Sequence, residues 1–73
     1  MSITVKRINA AVAKAGIPLE IVRGGGYQYF IYDTEDDCET LSIYVCWLNT
    51  YTVDEWVNEA RYAYDEIMKR LER

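Results

Sequence analysis

Hydrophobic side chains near the beginning of the chain recur at intervals of three and four residues. The residues with this spacing are Val5, Ile8, Val12 and Ala15. Polar and basic residues take most positions between them, and this arrangement predicts an amphipathic helix. Ser2 or Thr4 is suited to cap its first turn, and Gly16 followed by Pro18 is a typical helix end. We therefore predict a helix over residues 4–15.

Beyond Pro18 the hydrophobic spacing changes to strict alternation, which is typical of a β-strand. Residues 19–23 alternate in this way, and residues 27–32 are rich in aromatic and β-branched side chains. Three glycines separate the two segments, so together they predict a β-hairpin. Pairing Arg23 with Tyr27 across a three-residue loop keeps the odd-numbered, more aliphatic positions of both strands on one face.

The longest alternating segment covers residues 40–48 and predicts a third strand. An acidic connection, residues 33–39, precedes it. Pairing Ile31 with Leu41 keeps the aliphatic faces of the second and third strands together and leaves a loop of about five to seven residues.

The last segment carries the clearest helix start in the chain. Residues 52–55 read Thr-Val-Asp-Glu, which is a capping box, and Tyr51 and Trp56 stand where a hydrophobic staple belongs. Glu66 and Arg70 are an acid-first pair four residues apart, which favours the same helix. Its hydrophobic stripe consists of Val53, Trp56, Val57, Ala60, Tyr64, Ile67 and Leu71.

The two short connections predict a three-stranded antiparallel meander with the second strand in the centre. The expected core face carries Leu19, Ile21, Tyr29, Ile31, Leu41, Ile43, Val45 and Trp47, with Trp47 and Trp56 as core anchors. Three strands span about 10 Å between the outer axes, which is wide enough for two helices side by side. The predicted fold class is α+β, a two-layer αβββα sandwich with both helices on one face. The alternative places one helix on each face.

Composition places these elements in a single domain over residues 1–73. Hydrophobic residues make up 51% of the chain and charged residues 27%, which is typical of a globular domain. The apolar runs are far shorter than the roughly 20 residues that cross a bilayer. With no signal-peptide core, we expect a soluble protein of the cytoplasm with reduced cysteines. The net charge of −4 argues against nucleic acids and anionic membranes as partners.

Candidate chemistry is sparse. The chain has no histidine and two cysteines, so it lacks the commonest general base and the usual ligand set of a zinc site. The acidic connection resembles a calcium loop only loosely, because Cys38 and Tyr44 occupy the positions of its turn glycine and bidentate glutamate. The glycine run precedes a strand, whereas a phosphate cradle precedes a helix. We expect no catalytic residues, no metal site and no cofactor.

The second face of the sheet is the candidate partner site, because aromatic side chains lie there. The predicted partner-binding residues are Val22, Phe30, Tyr32, Tyr44 and Cys46, with Asp36 and Asp37 as an acidic rim. Phe30, Tyr32 and Tyr44 are the expected anchors, since aromatic residues at the centre of an interface usually carry most of its energy. The outer edge of the third strand is a competing site, since it has no lysine or proline to discourage an added strand.

Short segments along most of the chain resemble small phage and prophage proteins of uncharacterised function. These segments are IN at residues 8–9, GYQYF at 26–30, SIYV at 42–45, LN at 48–49 and WVNEA at 56–60. The resemblance implies a protein that binds a host protein and blocks it, as anti-restriction and anti-CRISPR inhibitors do. It implies no catalytic or binding residues.

Two functional hypotheses therefore remain open. The first is a non-enzymatic interaction protein, phage-encoded, that inhibits or modulates a host protein. The second is a homodimeric structural or accessory protein. A third hypothesis, that the protein mimics DNA through an acidic surface, is weakened because eight basic residues offset the twelve acidic ones.

Overall fold

The computed structural model describes residues 3–43 and 47–72. Its elements are helix α1 (Val5–Lys14), strands β1 (Glu20–Arg23), β2 (Gln28–Asp33) and β3 (Cys38–Ile43), a 3-10 turn (Leu48–Thr50) and helix α2 (Val53–Leu71). The strands are antiparallel neighbours in the order β1-β2-β3. The fold is therefore α+β, built on the predicted meander.

Both helices pack on the same face of the sheet. Helix α1 contacts α2 and β1, and α2 contacts β2 and β3. The buried residues between the two layers are Ile8, Val12, Ile17, Leu19, Ile21, Phe30, Leu48, Trp56, Ala60, Ala63 and Ile67. This arrangement confirms the two-layer αβββα sandwich.

The helices begin where local sequence signals predict. The Thr4 side chain accepts a hydrogen bond from the Arg7 N–H at 3.2 Å, and Gly16 follows α1 with a φ of 78°. At the start of α2, the Glu55 N–H donates to the Thr52 hydroxyl oxygen and the Thr52 N–H donates to the Glu55 carboxylate, each at 3.1 Å. The capping box is therefore complete, and it satisfies two backbone donors that the first helical turn leaves free.

The first hairpin has a tighter turn than the sequence predicts. Arg23 pairs with Gln28 rather than with Tyr27. The Gly24 N–H donates to the Tyr27 carbonyl at 2.8 Å, so only the last two glycines form the turn. A β-carbon on Gly24 would lie 3.0 Å from the Tyr27 ring, so this close approach favours glycine at the position before the turn. The predicted three-residue loop is therefore wrong by one residue.

The second hairpin is also tight. The Thr34 N–H donates to the Asp37 carbonyl at 2.8 Å, and the Asp37 N–H donates to the Thr34 hydroxyl oxygen at 3.0 Å. Asp33 pairs with Cys38, and Ile31 pairs with Thr40 rather than with Leu41. Counted from the Thr34–Asp37 hydrogen bond, the turn consists of residues 35–36 and is shorter than predicted.

Because both turns differ from the predicted ones, β2 presents the opposite face to the core from the one predicted. Phe30, predicted on the second face, is fully buried opposite Ile21, and its ring lies 6.2 Å from the Trp56 ring. Tyr29 and Ile31, predicted in the core, lie on the opposite face. Because β2 carries apolar side chains on both faces, the register of the turns decides which face is buried.

The neighbours of Phe30 on its face also point toward the helices. Tyr32 is half-buried against the core, with its ring 6.2 Å from the Tyr64 ring of α2. Gln28 is 1% exposed, and its Oε1 atom has no hydrogen-bond partner among the described residues. The core therefore includes a polar side chain that a hydrophobicity pattern does not reveal.

The chain after β3 differs from the predicted strand. Residues 44–46 lie outside the described part of the chain, including Val45, which was predicted in the core. Trp47 is 73% exposed rather than a core anchor. Leu48 is buried instead, and its carbonyl accepts a hydrogen bond from Trp56 Nε1 at 2.8 Å. Trp56 is the core anchor that the sequence predicts.

Candidate functional site

The face of the sheet that points away from both helices is the open face. Its residues are Glu20 and Val22 of β1, Tyr29, Ile31 and Asp33 of β2, and Cys38, Thr40 and Ser42 of β3. Val22 lies directly opposite Tyr29, and Ile31 is the next residue of β2 on the same side. These three side chains are half-buried and form an apolar strip across the two strands. The Tyr27 ring extends the strip, 6.1 Å from that of Tyr29.

The predicted partner-binding residues are divided between the two faces. Val22 lies on the open face, as predicted. Phe30 and Tyr32 belong to the helix-facing side, so their prediction as exposed anchors is wrong. Tyr44 and Cys46 lie outside the described residues. The expectation of an uncovered apolar face is met, but by different residues of β2.

The acidic rim lies in the turn between β2 and β3. Asp36 is exposed at the tip, and Asp37 is held by its backbone hydrogen bonds to Thr34. This turn follows Asp33, which is itself on the open face. Carboxylates therefore border one end of the apolar strip.

A shallow cleft of about 370 Å³ opens at the same end. The residues that line it are Pro18, Leu19, Glu20, Val22, Ile31 and Asp33. Val22 and Ile31 contribute apolar surface, and the carboxylates of Glu20 and Asp33 contribute negative charge. A side chain that combines an apolar stem with a cationic head matches these two properties.

The sequence pattern did not predict Tyr29 and Ile31 as surface residues, and Glu20 and Asp33 were not among the predicted partner-binding residues. A signal for them was present in the glycine run. Two-residue loops are the commonest connections in β-hairpins, and glycine is favoured in them. Placing only two of the three glycines in the turn shifts the register by one residue and exposes Tyr29 and Ile31.

Side chains from the helices engage both outer edges of the sheet. Asn9 of α1 accepts a hydrogen bond from the Ile21 N–H at 2.7 Å and donates to the Ile21 carbonyl at 3.2 Å. On the other side, Arg70 of α2 donates to the Thr40 carbonyl at 3.0 Å. Its guanidinium also lies 3.8 Å from the Glu39 carboxylate. Arg70 thus reaches across to β3, and Glu66, its predicted partner, instead pairs with Lys69 at 3.6 Å.

Residues 3–43 and 47–72 contain no group of three histidine, cysteine or acidic side chains placed to hold a metal ion. Neither helix of this part is long and apolar enough to cross a membrane.

Comparison with protein-family models, with curated proteins and with solved structures finds no significant match to this chain.

Proposed function

We propose that this protein is a non-enzymatic protein-binding module and that its open face is the binding surface. The observation that carries the proposal is the position of both helices on one side of the sheet. Within residues 3–43 and 47–72, this position leaves Val22, Tyr29 and Ile31 without a covering layer. A contiguous apolar surface with a polar border commonly marks a protein interface.

Hydrogen bonds at the sheet edges favour the face over strand addition. A strand added to a sheet binds through free backbone N–H and C=O groups. Asn9 already occupies both groups of Ile21 on β1, and Arg70 occupies the Thr40 carbonyl on β3. An incoming strand has to displace these side chains, whereas the open face needs no such change.

Under this proposal the partner is a host protein, and the module inhibits or modulates it by occupying its surface. The cytoplasm of the host is the proposed compartment. The host partner and the compartment are proposed from the resemblance to small phage proteins, whereas the binding surface is proposed from the fold.

The proposal is tested with tagged chains used as bait in host extract, followed by mass spectrometry. Tyr29→Ala and Ile31→Ser are the test variants, and Tyr62→Ala is the matched control. Tyr62 is 61% exposed on α2, which packs on the opposite side of the sheet from the open face. A partner retained by wild type and Tyr62→Ala, but lost by both face variants, is the expected result. A partner captured equally by all four baits contradicts the proposal.

A homodimer through the same face is the competing outcome. Light scattering on the purified chain distinguishes it, because a dimer has twice the monomer mass. A stable dimer that becomes a monomer on Tyr29→Ala would replace the host protein with a second copy as the partner.

A further inference from the structure

The basic residues of the described chain all lie on the helix side of the molecule, whereas acidic residues lie on both sides. The basic residues of the described chain are Lys6, Arg7 and Lys14 on α1, Arg61, Lys69 and Arg70 on α2, and Arg23 on β1. Arg23 lies on the helix-facing side of β1, which it shares with Ile21 by strand alternation. Within residues 3–43 and 47–72, the open face and the turn after β2 therefore carry only negative formal charge. The carboxylates there are Glu20, Asp33, Glu35, Asp36 and Asp37.

The cleft on the open face brings this charge next to apolar surface. Glu20 lies opposite Ile31, and Asp33 follows Ile31 two positions along the same side of β2. Val22 adjoins Glu20 on that side of β1, and Pro18 also lines the cleft. Arginine and lysine place their methylene stems on apolar surface while the cationic head remains near water or an acidic group.

We infer that this cleft receives an arginine or lysine side chain of the partner, and that the partner surface around it is positively charged. The stem would lie against Val22 and Ile31, with the head between Glu20 and Asp33. This inference rests on the proposed function, since it identifies the chemistry that the open face recognises.

The same charge distribution disfavours other occupants. A second copy seated face to face would bring two acidic borders together, and like charges across an interface oppose binding. Nucleic acid presents a phosphate backbone that needs basic contacts, and none of the described residues supplies one on this face. A basic protein surface is complementary in both charge and apolar content.

The probe for the test is an acetylated and amidated pentapeptide, Ala-Arg-Val-Arg-Ala. Its control replaces both arginines by citrulline, which has nearly the same shape but an uncharged urea in place of the guanidinium. Amide chemical shifts of the ¹⁵N-labelled full chain are followed during titration. The arginine peptide is expected to shift the amides of Val22, Ile31 and Asp33, and the citrulline peptide is expected to leave them unchanged. Binding should weaken several-fold between about 50 and about 300 mM NaCl, because salt screens exposed charges.

Matched charge variants test the position of the site. Glu20→Gln with Asp33→Asn should weaken binding of the arginine peptide by about ten-fold, the loss expected for two charge contacts near a surface. Asp65→Asn with Glu72→Gln removes the same net charge from exposed positions on or next to α2. This second pair should change the affinity by less than about two-fold, because its charges lie away from the cleft.

Several results would overturn the inference. They are equal binding of the citrulline peptide, shifts confined to the helices, no binding of the arginine peptide, or equal effects of the two variant pairs. Binding of a DNA duplex of about 20 base pairs, or a dimer held by Tyr29, would also do so, since each occupant needs contacts that acidic groups oppose.

The bait experiment separates this inference from the proposed function. A partner that is lost in Tyr29→Ala but binds equally well to the Glu20→Gln, Asp33→Asn variant would support the proposed function. That result would contradict the inference that the cleft receives a basic side chain. Loss of the partner in that variant, with retention in the Asp65→Asn, Glu72→Gln control, is the result we expect.

Discussion

Tyr29 and Phe30 are adjacent aromatic residues whose surroundings in the structure are opposite. Phe30 is fully buried between Ile21 and Trp56, whereas Tyr29 is half-buried on the open face. Residue type alone cannot distinguish them, because both are large, aromatic and common in strands. The change in the free energy of unfolding when each of these side chains is truncated is therefore the most direct residue-level test of the fold.

Replacing Phe30 with alanine should lower the free energy of unfolding by about 3 to 5 kcal/mol, because the change leaves a cavity in the core. Tyr29→Ala should cost less than about 1 kcal/mol, since its ring is partly solvated and outside the core. Urea denaturation of both variants gives the comparison. Similar costs for the two changes would contradict the observed orientation of β2.

The two-residue turns fix the register of the strands at the scale of the elements. Gly26, the second turn residue of the first hairpin, has a φ of 83°. This left-handed region is easily reached by glycine and is strained for a residue with a β-carbon. Gly25 lies beside it without a positive φ, and a β-carbon there would meet nothing within 4 Å.

Gly26→Ala should therefore destabilise the fold by about 1 kcal/mol or more, because the turn needs a positive φ. Gly25→Ala is the matched control and should be neutral or slightly stabilising, since it restricts the unfolded chain without strain. Thermal and urea melts of the two variants measure the difference. Equal melting points would mean that the turn accommodates either residue.

The helices were predictable from the sequence because their signals are local. Thr52 and Glu55 lie three residues apart, and the hydrophobic stripe of α2 follows directly from its spacing. The faces of β2 were not predictable in this way, since they depend on how many of three consecutive glycines enter the turn. Hydrophobicity does not distinguish the buried face of β2 from the exposed one, because Phe30 lies on one face and Tyr29 and Ile31 lie on the other.

For the molecule as a whole, apolar contacts between the layers are expected to dominate stability. Arg70 forms a polar link from α2 to β3, through the Thr40 carbonyl and the Glu39 carboxylate. Its side chain is 48% exposed, so water and salt screen the charge. The cluster around Trp56 is buried, so water and salt do not reach its contacts.

Arg70→Ala should consequently lower the free energy of unfolding by less than about 1 kcal/mol, as is usual for an exposed ion pair. Lys69→Ala is the control, because Lys69 forms an ion pair within α2 alone. Urea denaturation at low and high salt compares them. A loss of more than about 2 kcal/mol in Arg70→Ala only would show that this link, rather than the core, joins α2 to the sheet.

The site was predictable only in outline, because it depends on the whole architecture. Placing two helices over a narrow sheet predicts that one face is uncovered, and Val22 was correctly assigned to it. The cleft was not predictable, because it needs the exact pairing of Glu20 with Ile31 and the position of Asp33 beyond it. A register error of one residue moves Ile31 to the core and removes the cleft.

The two tryptophans give the chain a pair of fluorophores in contrasting surroundings. Trp56 is fully enclosed and donates its Nε1–H to the Leu48 carbonyl, whereas Trp47 is 73% exposed. A water-soluble quencher such as acrylamide should therefore reduce the emission of Trp47 first and leave that of Trp56 largely intact. In Trp47→Phe, the remaining emission comes from the core alone, so its shift to longer wavelength reports when water reaches the interior.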